Sequence, residues 1–153
     1  MSIEWEARKF LLGEWEGGSE DDPGQGRGRF SFSFELDENV LVRRNRTVFA
    51  PTTQRGGYTH DDLLIIYTEF NQVKRAIYFD NEQHVIHYEV NLSPDHNTIT
   101  LTSDPVPSVP QFRFTYIKTG PDTLDARFEM TPQGAPGAFF VYLEGTSRRI
   151  SSK

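Results

Sequence analysis

Period-two alternation of apolar and polar residues runs through most of the chain after residue 13. Phe30, Phe32, Phe34 and Leu36 alternate with Ser31, Ser33 and Glu35. Ile86, Tyr88, Val90 and Leu92 interleave with His87, Glu89 and Asn91. Phe112, Phe114 and Tyr116 flank Arg113 and Thr115, and Leu124, Ala126, Phe128 and Met130 flank Asp125, Arg127 and Glu129. Successive side chains of a strand point to opposite faces, so each run buries one face and wets the other. Turn-forming clusters such as Asp37-Glu38-Asn39, Asn71-Gln72, Asp80-Asn81-Glu82, Ser93-Pro94-Asp95-His96 and Gly120-Pro121-Asp122 separate the runs. Together these signals predict ten strands. They are Gly13–Gly18, Gly28–Leu36, Val40–Ala50, Asp62–Phe70, Val73–Asp80, Gln83–Leu92, Thr98–Ser103, Gln111–Lys118, Thr123–Thr131 and Gly137–Ser147. Helical spacing occurs only at the start. Ile3, Ala7, Phe10 and Leu11 share one stripe, with Ser2 as N-cap and Gly13 as stop, which predicts a short N-terminal helix.

Short links between sequential strands predict hairpin pairing throughout. An all-β chain of this kind closes most simply into a ten-stranded up-and-down antiparallel β-barrel within a single domain. A two-sheet sandwich is the alternative, but Greek-key crossovers need longer links than most of these. The links at alternate ends differ. Ser19–Arg27, Pro51–Asp61, Asp104–Pro110 and Pro132–Pro136 are long and rich in Gly or Pro, and share an end with the short Asn81–Glu82. Those at the other end are all short. The barrel is therefore expected to have a loop-rich mouth and a tight end plugged by the helix.

Gly13-Glu14-Trp15 opens the first strand, and Arg148 and Arg149 end the last. Ten strands place these at the same tight end, where a guanidinium can stack on the indole. The arrangement resembles the Gly-x-Trp plus terminal-arginine closure of the lipocalin and calycin superfamily. Within it the chain is most similar to the compact ten-stranded nitrobindin-like proteins. The likeness covers Phe10-Leu11-Leu12-Gly13-Glu14-Trp15-Glu16-Gly17 and the stretch from Phe112 to Arg149, with Tyr116, Leu124, Phe128, Met130 and Gly134. The resemblance implies a calycin-type barrel with a ligand-sized cavity. Nitrobindins hold haem through a histidine on the last strand, which would fall near Phe140 to Tyr142. This chain has no histidine after His96. Haem by that route does not carry over, and no cofactor is expected, although Tyr142 is a residue type that can ligate ferric haem.

Composition narrows the function class. The chain has 153 residues, with 12 Phe, 6 Tyr and 2 Trp, so it is not of a disordered type. It has no cysteine, which excludes disulfide scaffolds, thiol catalysis and cysteine-ligated metals. A formal charge of −6 argues against general nucleic-acid or anionic-membrane binding. No apolar run reaches the ~18 residues of a membrane helix. The opening Met-Ser-Ile-Glu-Trp-Glu lacks a basic segment followed by an apolar core, so no signal peptide is expected, and a cytoplasmic location is.

The strand around Val40–Phe49 is apolar at its ends but polar on both faces in its middle. One parity holds Arg44 and Arg46, the other Arg43 and Asn45. At least one arginine should enter the barrel, either as an anion hook for a ligand or paired internally with Glu35, Glu69 or Glu129. Arg44 or Arg46 is taken as the anchor. The expected aromatic lining is Phe30, Phe32, Phe34, Tyr88, Phe112, Phe114, Tyr116, Phe128 and Tyr142. His84 shares parity with Ile86 and Tyr88 and is expected at the mouth. His84 and His87 sit on opposite faces, so no metal site is expected there. His60 precedes Asp61 and Asp62 in what reads as a mouth loop. The primary expectation is binding or carriage of a small, mainly apolar or aromatic ligand, with an acidic group as an option. The alternatives are an enzyme using His84 or His60 with a carboxylate as acid and base, and a packed barrel serving as an interaction module. Leu63-Leu64-Ile65-Ile66-Tyr67 and Phe139-Phe140-Val141-Tyr142-Leu143 are apolar on both faces, which a homodimer would explain.

Overall fold

A computed structural model describes residues 8–18 and 27–152. Ten strands form one closed antiparallel barrel, each paired with its neighbours in sequence, and β1 closes on β10. They are β1 (Gly13–Gly18), β2 (Arg27–Glu35), β3 (Val40–Phe49), β4 (Tyr58–Thr68) and β5 (Lys74–Asp80), then β6 (Val85–Leu92), β7 (Thr98–Ser103), β8 (Phe112–Gly120), β9 (Thr123–Met130) and β10 (Phe140–Ser151). The expected N-terminal helix is only in part observable. Ser2 to Ala7 lie outside the described residues, as does the glycine-rich link after Gly18. Arg8–Leu11 forms a 3-10 turn, the only helical element among the described residues.

Two expected strands shift by several residues: β10 runs from Phe140 to Ser151 rather than from Gly137 to Ser147, and β4 also moves. β4 begins at Tyr58 rather than Asp62 and takes His60 out of the expected loop and into the sheet. Tyr58 pairs with Phe49 across the β3–β4 hairpin, and the two rings stack with centroids 4.5 Å apart. This cross-strand pair extends the ladder past the point where apolar alternation ends. At the other side of the barrel, β1 pairs with β10 only over Ser147–Ser151. Phe140, Val141, Tyr142 and Leu143 are all exposed.

The core follows from strand parity. Leu11, Trp15, Phe32, Leu41, Ile66, Ala76, Ile99, Leu101, Tyr116 and Leu124 are almost fully sealed. They fill the barrel from the tight end to its middle. Phe30, Phe32 and Tyr116 form an aromatic knot, with centroids 5.5 to 6.0 Å apart. Aromatic pairs at this spacing add to the burial of their apolar area.

Trp15 and Arg149 fasten the tight end. The Trp15 indole N–H donates to the Leu11 carbonyl at 2.7 Å. The Arg149 guanidinium stacks 4.4 Å from the Trp15 ring centroid. It also donates to the Phe10 and Leu12 carbonyls and to Asp122. One side chain thus ties the 3-10 turn, the first strand and the β8–β9 turn to the last strand. Arg148 does not share this role. It lies opposite Glu16 in the ladder and is exposed, because neighbouring residues on a strand face opposite ways. Gly13 is fitted to the same place. Its φ is +112°, and a Cβ there would sit 2.4 Å from the Ser151 carbonyl oxygen.

Arg149→Ala is expected to destabilise the barrel by about 2–4 kcal/mol, because it leaves two carbonyls unpaired and uncovers the indole. Urea denaturation followed by Trp fluorescence checks this, and an unchanged midpoint contradicts it.

Candidate functional site

Above the sealed core the inner face changes character. The inward residues of β3, β4 and β5 become polar toward the mouth: Arg43 and Asn45, Asp62 and His60, then Asp80. The register sets Asn45 beside Asp62 and Asp62 beside Asp80. Across the barrel, β8, β9 and β10 turn Phe112, Phe114, Phe128 and Tyr142 toward the same space. Phe128 lies 5.8 Å from Phe112, 5.9 Å from Phe114 and 6.2 Å from Tyr142, centroid to centroid. These inward aromatics are half-buried, and Tyr142 is 60% exposed. Solvent reaches these rings, so the space they face, the crater, is less tightly sealed than the core below.

Arg43 sits at the boundary. It is the arginine that enters the barrel, and it is buried. Arg44 and Arg46 point outward, which corrects their assignment as the inner anchor. Arg46 binds the Asp61 carboxylate through two nitrogens, at 2.8 and 3.2 Å, and Arg44 lies 3.7 Å from Glu35. Both line a concavity of about 370 Å³ on β1 to β4, with Glu14, Arg29, Asp61 and Leu63, and with Asn45 and Asp62 of the inner face also reaching it. Sequence parity left the two alternatives symmetric. The odd-numbered set faces inward because Leu41 and Phe49 flank it at positions that pair with Ile66 and Tyr58.

The Arg43 guanidinium bonds Asp62 and lies 5.2 Å from the Phe30 centroid, 5.7 Å from Phe114 and 6.0 Å from Tyr116. Burial works against its charge. The Tyr116 hydroxyl, Asp62 and Tyr78 outweigh burial and hold its pKa above the ordinary arginine value. Burial also pushes the Tyr116 hydroxyl up to about 12. The internal partner is therefore Asp62, not Glu35, Glu69 or Glu129. Glu129 instead binds Arg113.

From Asp62 a hydrogen-bond chain crosses the polar wall. Asp62 accepts from the Asn45 amide at 2.9 Å and lies 3.3 Å from His60 Nε2. His60 Nε2 is 3.0 Å from the Tyr78 hydroxyl, and His60 Nδ1 is 3.2 Å from Glu82. Tyr78 donates to Asp80 at 3.0 Å. Asp80 also holds His84 Nδ1 at 2.9 Å and accepts the backbone N–H groups of Glu82 and His84. Burial pulls the Asp80 carboxyl up, but these donors outweigh it and hold its pKa below the usual carboxylate value. The Tyr78 hydroxyl is driven far above its ordinary range, first by burial and then by Asp62 and Asp80.

The other expected lining residues lie deeper. Phe30, Phe32, Tyr88 and Tyr116 are buried in the packed core, and Phe34 packs against it from the tight end. Burial raises the Tyr88 hydroxyl well above its usual range. Of the expected ligand residues, the structure clusters Phe112, Phe114, Phe128 and Tyr142, while His84 lies with Asp80 on the polar side. Sequence reasoning missed Arg43 as the inner arginine, and also Asn45, Asp62, Tyr78 and Asp80. An alternation of inward polar residues on three adjacent strands is the signal that could have found them. Among the described residues, no group of three or more His, Asp or Glu side chains is placed to hold a metal ion.

The same architecture occurs in a solved protein, Rv2717c from M. tuberculosis. Its crystal structure matches with a TM-score of 0.62 at 14% identity, over 97% of this chain and 98% of that one. At that level of identity the match shows a shared fold, the closed ten-stranded antiparallel barrel. No family model and no curated protein matches the sequence. Haem held in the nitrobindin manner needs an imidazole on the last strand. In this barrel β10 carries none, and the inward histidines His60 and His84 stand across the mouth, engaged by carboxylates. The donor set does not fit that mode.

Two stability predictions follow from the polar wall. Asp62→Ala leaves Arg43 buried without a counter-charge and is expected to cost about 3–5 kcal/mol, most of which the double substitution Arg43→Met with Asp62→Leu restores. Equal destabilisation in the single and double variants, read by urea midpoints, contradicts this. Asp80 contributes stability above its unfolded-state pKa near 3.8, and that contribution is lost as pH falls through its lower folded value. The stability gap between the parent and Asp80→Asn should therefore close as pH falls below that range. A gap independent of pH contradicts the assignment.

Proposed function

We propose that the protein binds a small aromatic molecule in the crater at the loop-rich end of the barrel. The observation that carries this reading is the division of the crater into two unlike walls. Phe112, Phe114, Phe128 and Tyr142 form a solvent-reached aromatic wall, and the chain from Arg43 to His84 forms an ordered polar wall opposite. A pocket with apolar sides and a few fixed polar groups is the usual form of a small-molecule site. The Arg43 layer supports a rigid floor, so a ligand would meet a preorganised surface. Such a surface lowers the ordering cost of binding.

The acid–base alternative retains its geometric requirement, since His60 and His84 both lie within reach of carboxylates. Binding is preferred because the donors that could stabilise a developing negative charge are engaged within the wall. The packed-module alternative suits the lower half of the barrel and leaves the exposed aromatic wall unexplained.

The neutral probe 1-naphthylmethanol, titrated by its own fluorescence, is expected to bind saturably at one site. Tyr142→Ala, a change at an exposed side chain, should weaken binding about three- to tenfold through the loss of one aromatic contact. Unsaturable binding, or affinity unmoved by Tyr142→Ala, contradicts the reading.

A further inference from the structure

The polar wall specifies the charge of the ligand. Resting on the binding site proposed above, we infer that the crater selects an aromatic molecule carrying a cationic or hydrogen-bond-donating group, such as a primary amine, over one carrying an acid.

The wall's donors are largely consumed by its own acceptors. The Asn45 amide donates to Asp62 at 2.9 Å and to Thr47 at 3.2 Å. Tyr78 donates to Asp80. His60 faces Glu82 with one nitrogen, and Tyr78 and Asp62 with the other. The Arg43 charge is neutralised by Asp62 and covered by three aromatic rings. The inner guanidinium is thus already paired with a carboxylate. Its Nε and the Tyr116 hydroxyl are both sealed from water, and neither has a hydrogen-bond partner among the described residues.

What the wall turns outward is of the accepting kind. His84 Nδ1 lies on Asp80, so the tautomer that donates there leaves Nε2 as an acceptor on a side chain that is 61% exposed. Glu82 meets His60 through one oxygen while its side chain remains 46% exposed. Charge points the same way. Once Arg43 and Asp62 cancel, Asp80 and Glu82 are the carboxylates that remain in the wall. Arg55, further out on the β3–β4 hairpin, is stacked 3.6 Å from the centroid of Tyr58. A carboxylate placed against Glu82 and His84 would meet like charge and acceptors without donors. An ammonium would meet both with its N–H groups.

The test uses three matched probes at pH 7 and low salt: 1-naphthylmethylamine, 1-naphthylmethanol and 1-naphthylacetate. The amine is expected to bind about tenfold tighter than the acid, the size of one good charge-assisted hydrogen bond. Glu82→Gln should shrink that ratio at least threefold, and His84→Phe should shrink it as well. Glu38→Gln, in the β2–β3 turn at the opposite end, should leave it unchanged and so separates a local effect from the net charge of −6. Equal or tighter binding of the acid overturns the inference while leaving the crater as a binding site. A preference that Glu38→Gln moves as much as Glu82→Gln also overturns it. Failure of all three probes to bind overturns the binding site itself.

Discussion

The buried pair of Arg43 and Asp62 divides this barrel in two. A guanidinium this far from water is tolerated only with a counter-charge and aromatic faces around it. Asp62 supplies the first, and Phe30, Phe114 and Tyr116 supply the second. Below the pair Phe32, Leu41, Ile66, Ala76, Ile99 and Leu124 pack into one apolar cluster. Above it the carboxylate that neutralises Arg43 becomes the first member of a polar chain through His60, Tyr78, Asp80 and His84. Removing the ion pair would therefore disturb both the lid of the core and the base of the crater.

The rest of the architecture serves to hold that boundary. Arg149 and Trp15 lock the tight end, so closure does not depend on the mouth. Up-and-down pairing puts the inward positions of β3, β4 and β5 side by side, which turns isolated polar residues into a continuous wall. The aromatic wall comes from β8 and β9 by the same parity, with Tyr142 added at the register shift between Val141 and Leu143 of β10. The two walls thus arise from different stretches of sequence and meet only through closure of the sheet.

The fold was legible because amphipathic strands announce themselves. Alternation from Phe112 to Tyr116 and from Leu124 to Met130 predicts both the strands and their buried faces. Thr98–Ser103 and Gly13–Gly18 agree with the observed bounds. The site was less legible because it is built from residues that break the pattern. His60 and Asp62 face inward, so polarity disguised the start of β4 as loop. Arg43 and Arg44 are adjacent and chemically identical, and the register that sets Leu41 on Ile66 and Phe49 on Tyr58 decides which one is inside. Burial depth was also out of reach. Phe30 and Phe114 share parity with inward positions alike, yet one is sealed and the other meets the crater.

The central claim is that ligands enter the crater rather than the charged concavity on β1 to β4. NMR of the isotopically labelled protein, titrated with 1-naphthylmethylamine, tests it most directly. The account predicts saturable shifts at Phe114, Phe128, Tyr142, Glu82 and His84, with Arg44, Arg46 and Asp61 unmoved. Shifts confined to Arg44, Arg46 and Asp61 would contradict it.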